Sequence, residues 1–352
     1  MTDLTVVAIH EAPPQGVFVV TGGGSGLLPR LLSVPGASAT VLEASVPYAS
    51  QALADYLGAA PEQWCSAVTA RRLAMQAFSR ARALGGEFGF AITASLATNR
   101  PKRGDHRAYL AYQDAVATRV WTLALEKGTR SRAEEEDLVA SRALAALAFA
   151  LGISPAPDLP CEEALGDIGL AELLRGERRV VASRHFDAVL PGAFNPLHEG
   201  HRRMRAHAAA RLGRPVAYEL CVANVDKPPL DYLDINPRLA QFQPDEVVVT
   251  NAPTFVEKAR ALGGAVTFVV GADTITRIAQ PRYYGGRAPR DAALAELKKA
   301  GCVLLVYGRV DDDGAFKTLA DLSLPPVLAG LCEGVGAAEF RSDVSSTALR
   351  MG

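Results

Sequence analysis

Gly192-Ala193-Phe194-Asn195-Pro196-Leu197-His198-Glu199-Gly200-His201 stands between an apolar, strand-like run at 186–190 and an Ala-rich helical stretch that starts near His201 and closes at Gly213. A strand turning into a helix through glycine and proline is the opening move of an α/β unit. Gly192 permits close backbone approach, Pro196 fixes the turn, and Gly200 leaves room above the helix mouth. The first N–H groups of that helix are unpaired and carry the positive end of its dipole, so the mouth favours an anion such as a phosphate chain. His198 and His201, three residues apart at the helix start, can both face that anion.

Outward from this string, strand-like runs at 216–222, 246–250, 266–270 and 303–307 alternate with helical stretches at 253–262 and 291–300. The N-terminal half has a rhythm of its own. A strand at 16–20 runs into the Gly-rich turn 21–26, followed by a helix at 67–84, a strand at 88–93 and a closing helix at 133–151. Ser154-Pro155-Ala156-Pro157 then breaks the chain. The fold class expected is α/β, with two α/β domains and largely parallel sheets, the C-terminal one Rossmann-like. The boundaries are expected at 1–152, a linker at 153–182 carrying a bridging helix over 161–179, and 183–352.

Composition narrows the function. The chain has 352 residues, 49% hydrophobic and 21% charged, enough to bury sizeable cores. A net charge of -1 from 37 basic and 38 acidic residues gives no field for gathering a nucleic acid polymer. Cys65, Cys161, Cys221, Cys302 and Cys332 form neither a C-x-x-C pair nor a Cys/His cluster, so no protein-held metal is expected and the thiols read as reduced and mostly buried. Residues 1–16 are short of apolar side chains and include Glu11, Pro13 and Pro14, and the longest apolar run, 143–151, is too short to span a bilayer. The expectation is a cytoplasmic protein with no membrane partner, acting on small molecules, with room for a homo-oligomer.

The Gly192 to His201 string resembles the HxGH signature of the nucleotidylyltransferase superfamily, which includes the nicotinate and nicotinamide mononucleotide adenylyltransferases and pantetheine-phosphate adenylyltransferase. Near the C-terminus, Asp343-Val344-Ser345-Ser346-Thr347-Ala348-Leu349-Arg350 resembles the family's ISSTxxR element. Its hydroxyls would cap a helix and donate to phosphate oxygens, and Arg350 would grip the β- and γ-phosphates. Phe268-Val269-Val270-Gly271-Ala272-Asp273 resembles the strand-end GAD of the mononucleotide adenylyltransferases, which contacts the adenosine part. Asn224-Val225-Asp226-Lys227-Pro228-Pro229 and Arg238 resemble the Lys-Pro segment and downstream Arg that face acceptor and phosphates.

The resemblance implies in-line attack by an acceptor phosphate on the α-phosphorus of ATP, with no covalent enzyme intermediate. It makes His198, His201, Lys227 and Arg350 the catalytic set, with Mg²⁺ bridging phosphate oxygens. Gly192, Ala193, Phe194, Asn195, Gly271, Asp273, Ser345, Ser346 and Thr347 would hold the nucleotide, and Asn224 and Arg238 the acceptor. Plainer readings stand beside these: Asp273 as a helix cap, Lys227 and Arg238 as surface charges, Arg202, Arg203 and Arg205 as a solvated helix face, and Glu134-Glu135-Glu136-Asp137 as the acidic start of a helix.

In the first half, Val34-Pro35-Gly36-Ala37-Ser38-Ala39, Val46-Pro47-Tyr48-Ala49-Ser50-Gln51-Ala52-Leu53 and Leu57-Gly58 resemble the CinA C-terminal domain family, some members of which are nicotinamide mononucleotide deamidases. That family has a nucleophilic Ser in a Glu-Ser-Cys-Thr-Gly-Gly turn and a Lys that activates it. Here the alignment puts Thr21 at the Ser, Gly23 at the Thr and Leu53 at the Lys, and Leu cannot take a proton. Thr21, Gly23 and Tyr48 thus read as a vestigial site in a catalytically silent domain, the rival being a Thr21 nucleophile served by another base such as Lys102.

Together the two resemblances imply AMP transfer from ATP to a pyridine mononucleotide with release of pyrophosphate. The alternatives are another acceptor or CTP, a non-catalytic nucleotide sensor, and an amidohydrolase in the first half. The sensor reading is favoured by a departure from the family: the sequence stops at Gly352, just after Arg350.

Overall fold

A computed structural model describes residues 4–99, 103–223, 225, 228–310 and 314–342. The protein is α/β and divides into two compact units, one formed by Met1–Arg175 with Asp226–Asn236 and the other by Gly176–Val225 with Pro237–Gly352.

The first unit is built on a six-stranded sheet. Its strands are β1 (Gly16–Thr21), β2 (Val41–Ser45), β3 (Phe88–Ser95), β4 (His106–Gln113), β5 (Ala117–Leu125) and β6 (Cys161–Leu165), in the order β2-β1-β3-β4-β5-β6. Both neighbours of β1 are parallel to it, and every residue of β1 is buried, as a central strand covered on both faces requires. Val17 and Val19 pack under the helix Ala67–Ala83, whereas Phe18 and Val20 join Phe88, Ile92, Trp121 and Leu147 on the side of the helix Arg132–Ala150.

Three expectations fail here. The sheet is mixed, because β3 to β6 pair antiparallel. The hairpin between β4 and β5 turns on Asp114, whose Oδ1 accepts from the N–H groups of Val116 and Ala117, both at 2.7 Å. Residues 161–179 hold no single bridging helix: Cys161–Leu165 is the edge strand, and only Ile168–Arg175 is helical. Pairing with β5 gives that stretch the backbone partners a lone helix would have supplied internally. The N-terminus also forms a helix, Leu4–Glu11, which buries Val6 and Ile9. Of the five thiols, only Cys302 is buried.

The segment Asp226–Asn236 belongs to the first unit although it follows a strand of the second. Asp231 forms a buried ion pair with Arg71, and the Tyr232 N–H donates to Thr118 Oγ1 at 3.0 Å. Burial pushes the Asp231 carboxyl up to about 6, against the opposing pull of Arg71.

The second unit holds β7 (Val180–Ala182), β8 (Ala188–Pro191), β9 (Ala217–Cys221), β10 (Val247–Thr250), β11 (Thr267–Gly271) and β12 (Val303–Tyr307). The two-stranded ribbon of β13 (Arg309–Val310) and β14 (Phe316–Lys317) follows, and then β15 (Cys332–Val335). The large sheet runs β15-β12-β11-β8-β9-β10-β7, all parallel except β7. From β8 the chain winds outward through β9 to β10, then returns to set β11 against the other side of β8. The order therefore reverses between β8 and β11, and in an open parallel sheet the crevice outside the strand ends at that reversal is where ligands bind.

The second unit buries an ion pair between β9 and the helix Phe255–Ala261. Lys258 Nζ lies 2.7 Å from Glu219 Oε1, with side-chain exposures of 5% and 1%, and the Thr250 hydroxyl donates to the same carboxylate. Among the described residues no helix is long and apolar enough to cross a membrane.

Candidate functional site

The turn after β8 is shaped by Phe194. Its backbone lies in the left-handed region at φ 45°, and its ring is buried edge-on against His201, Tyr218 and Phe242, with centroids 5.2, 5.3 and 5.3 Å away. Gly192 is required beneath it, since a Cβ there would fall 2.6 Å from the Phe194 ring. Gln241 clamps the turn from outside: its Oε1 accepts from Leu197 N at 2.8 Å and its Nε2 donates to the Phe194 carbonyl at 2.9 Å. Arg238 donates to the Ala193 carbonyl at 3.2 Å, so it braces the turn. Ala193 and Asn195 are exposed on the turn surface.

His198 is the N-cap of the helix Glu199–Leu212, which starts two residues earlier than the sequence suggested. Its ring stacks on that of His201, centroids 3.8 Å apart, and its backbone N–H donates to His201 Nδ1 at 3.4 Å. Burial, reinforced by His198 and Arg309, lowers the His201 pKa to about 4. Burial and then Arg309 lower that of His198. Both imidazoles are therefore neutral at pH 7.

Arg309 stands just past β12, close enough to act on both rings, and it donates to Asp273 Oδ2 at 3.1 Å. Asp273 lies in the first turn of the helix Ala272–Ile278, behind β11. Gly271 is the N-cap of that helix, and a Cβ on it would meet Asp273 Oδ1 at 2.6 Å, so the glycine lets the carboxylate fold back over the strand end. The Arg309 charge thus acts on the His198–His201 pair that follows β8, and the same guanidinium pairs with Asp273 just past β11. Sequence reading missed Arg309 altogether.

The chain approaching its C-terminus runs along the helix Glu199–Leu212. Phe340 packs on His207 and Tyr307 with centroids 5.4 and 5.0 Å away, His207 Nδ1 and the Tyr307 hydroxyl are 2.8 Å apart, and Glu339 pairs with Arg211 at 2.5 Å. This leads Ser342 over the helix mouth, where its Oγ would lie 3.0 Å from a Cβ on Gly200. Ser345, Ser346, Thr347 and Arg350, which follow, lie outside the described residues, as do Asn224 and Lys227. No group of three or more His, Cys, Asp or Glu side chains suited to a metal ion occurs among the described residues.

In the first unit, Thr21, Gly23 and Tyr48 line one cavity of about 350 Å³, with Ser25, Arg132 and Glu136 among the other lining residues. The Thr21 hydroxyl is buried and donates to the Pro47 carbonyl at 3.0 Å, so its proton points at a group that cannot remove it. Leu53 is 3% exposed in the core beside Leu73 and Ala77. Lys102 lies outside the described residues.

The acidic run at the start of the helix Arg132–Ala150 is more than a dipole match. Glu134 completes a capping box with Ser131. Glu135, fully buried, binds His106 Nδ1 at 2.7 Å and accepts from Ala97 N at 2.6 Å. Glu136 reaches into the Gly-rich turn, and Asp137 pairs with Arg30 at 2.5 Å.

Part of this chain is similar to solved CinA-superfamily proteins. The competence/damage-inducible protein CihA from Agrobacterium tumefaciens matches at 19% identity over 43% of this chain and 91% of its own, with a TM-score of 0.33. A superfamily protein from Klebsiella pneumoniae matches at 14% over 43% and 95% (TM-score 0.36), and one from Enterobacter cloacae at 16% over 43% and 91% (TM-score 0.37). No family model matches the chain, and the curated proteins yield no relative.

Proposed function

We propose that the second unit is a nucleotidylyltransferase that moves AMP from ATP to a phosphorylated acceptor and releases pyrophosphate. The observation that carries this reading is the stacked His198–His201 pair at the mouth of the helix Glu199–Leu212, beside the point where the strand order reverses, with the Arg309 charge lowering the pKa of both rings. The imidazole pair, neutral in the free protein, donates hydrogen bonds to phosphate oxygens and gains a proton more readily beside them, and the Arg309 guanidinium offsets the charge that builds on the leaving pyrophosphate. The acceptor phosphate is already a nucleophile, so the site has only to align and neutralise.

Mg²⁺ would arrive on the triphosphate, where it shields the phosphate oxygens. On the protein side His198, His201 and Arg309 orient the phosphates, and Lys227 and Arg350 add charge in the reading carried from the sequence. A pyridine mononucleotide is our acceptor, on the pairing in one chain of the Gly192 to His201 string with the Val46 to Leu53 string, and such a reaction suits the cytoplasm.

Pyrophosphate release from ATP or CTP, with a panel of pyridine mononucleotides and other phosphorylated acceptors, tests this directly. Release that depends on one acceptor supports transfer. ATP binding with no release for any acceptor would replace the enzyme by a nucleotide sensor.

A further inference from the structure

The cavity of the first unit already contains the group its donors are suited to bind. Gly22 and Gly24, at φ 76° and 87°, bend the turn so that several donors meet one carboxylate. Glu136 Oε2 accepts from Gly24 N at 2.9 Å, and Oε1 accepts from Ser25 Oγ at 2.8 Å and Gly26 N at 3.2 Å. Arg132 stands 3.9 Å from the same carboxylate and donates to the Gly22 carbonyl at 2.9 Å.

Two backbone N–H groups, a hydroxyl and a nearby guanidinium are the donor set of an oxyanion site, and Glu136 comes from a helix 110 or more residues away in sequence. Burial would raise the Glu136 pKa, but the three donors outweigh it and hold the carboxyl below its ordinary value, so the occupant stays charged at neutral pH.

We propose that the Gly24–Gly26 turn is a binding seat for a small oxyanion, a carboxylate or a phosphate, and that Glu136 fills it as an internal ligand that closes the seat to external anions. The rest of the cavity, with the Thr21 hydroxyl and the exposed Tyr48 ring on its wall, stays open. An acidic or phosphorylated small molecule gains the seat only when Glu136 leaves it.

Thermal unfolding of the full chain, wild type and Glu136→Ala, in sodium acetate or sodium phosphate against sodium chloride at equal ionic strength, tests the proposal. Glu136→Ala should melt lower than wild type in chloride and recover part of the loss in acetate, phosphate or both, by more than the general stabilisation these anions give wild type. Recovery in acetate alone marks a carboxylate seat, and in phosphate alone a phosphate seat. The added substitution Ser25→Ala should weaken the recovery about tenfold in anion concentration, the worth of one charge-assisted donor. If Glu136→Ala does not fold, acetate binding to Glu136→Ser, whose short side chain also leaves the seat empty, is measured by titration calorimetry in its place, with wild type as the blank. A variant that responds to acetate and phosphate no more than to chloride, or no more than wild type does, overturns the proposal.

Discussion

His201 lies face to face with His198, ring centroids 3.8 Å apart and planes 25° from parallel, with the Phe194 ring edge-on against it from below. Two imidazoles this close cannot both take a proton without repulsion, and burial and Arg309 push the same way, which lowers the His201 pKa to about 4. A polyphosphate would reverse that balance.

Binding of ATP is therefore expected to take up protons and to tighten as pH falls from 7 towards 5. The complex holds protons that the free site releases, so affinity rises as pH drops through the interval between the two pKa values. Calorimetric titration in buffers of different ionisation enthalpy reads the uptake, and a proton count of zero at pH 6 would count against phosphates at these rings.

The same shift sets a stability window for the free protein. An unfolded His201 takes a proton near pH 6.5, whereas the folded one resists until about 4. Its contribution to stability is full above 6.5 and is lost as pH falls towards 4. Urea unfolding of His201→Gln should lose less stability than wild type between those limits. An equal loss in both proteins would show that His201 does not carry the effect.

Arg309→Ala should weaken ATP binding about tenfold or more, the worth of a hydrogen-bonded charge, and should let both histidines titrate at higher pH. Histidine ring NMR shifts followed against pH check the second effect apart from the first. Unmoved titration curves would place Arg309 away from the pair.

Lys258→Met should destabilise the second unit by about 3–5 kcal/mol, because it leaves the Glu219 carboxylate buried without its partner. The double variant Glu219→Leu with Lys258→Met should recover most of that loss. Urea midpoints for the four proteins test this, and a double variant no better than the single one would contradict it.

What the sequence disclosed was local. The turn from β8 into the helix Glu199–Leu212 is written in consecutive glycine, proline and histidine residues, so its shape could be read from them. Arg309 has no such neighbours: it reaches the crevice only because β12 docks on β11, a pairing between distant stretches. Glu136 misled in the same way. Its place in an acidic run at a helix start fits the dipole, yet its partners Gly24 and Gly26 lie 112 and 110 residues away. The hairpin of β4 and β5 hid behind an Ala- and Tyr-rich run, Ala108 to Tyr112, that has no clear strand period until β3 and β5 flank it.

Whether His201 holds the transition state is read from the rate of pyrophosphate release from ATP and acceptor, compared between wild type and His201→Ala with matching circular dichroism spectra. A fall of at least about a hundredfold is expected, the usual cost of losing one donor to the transition state. Equal rates in the two proteins would mean that this helix mouth does not carry nucleotidyl transfer.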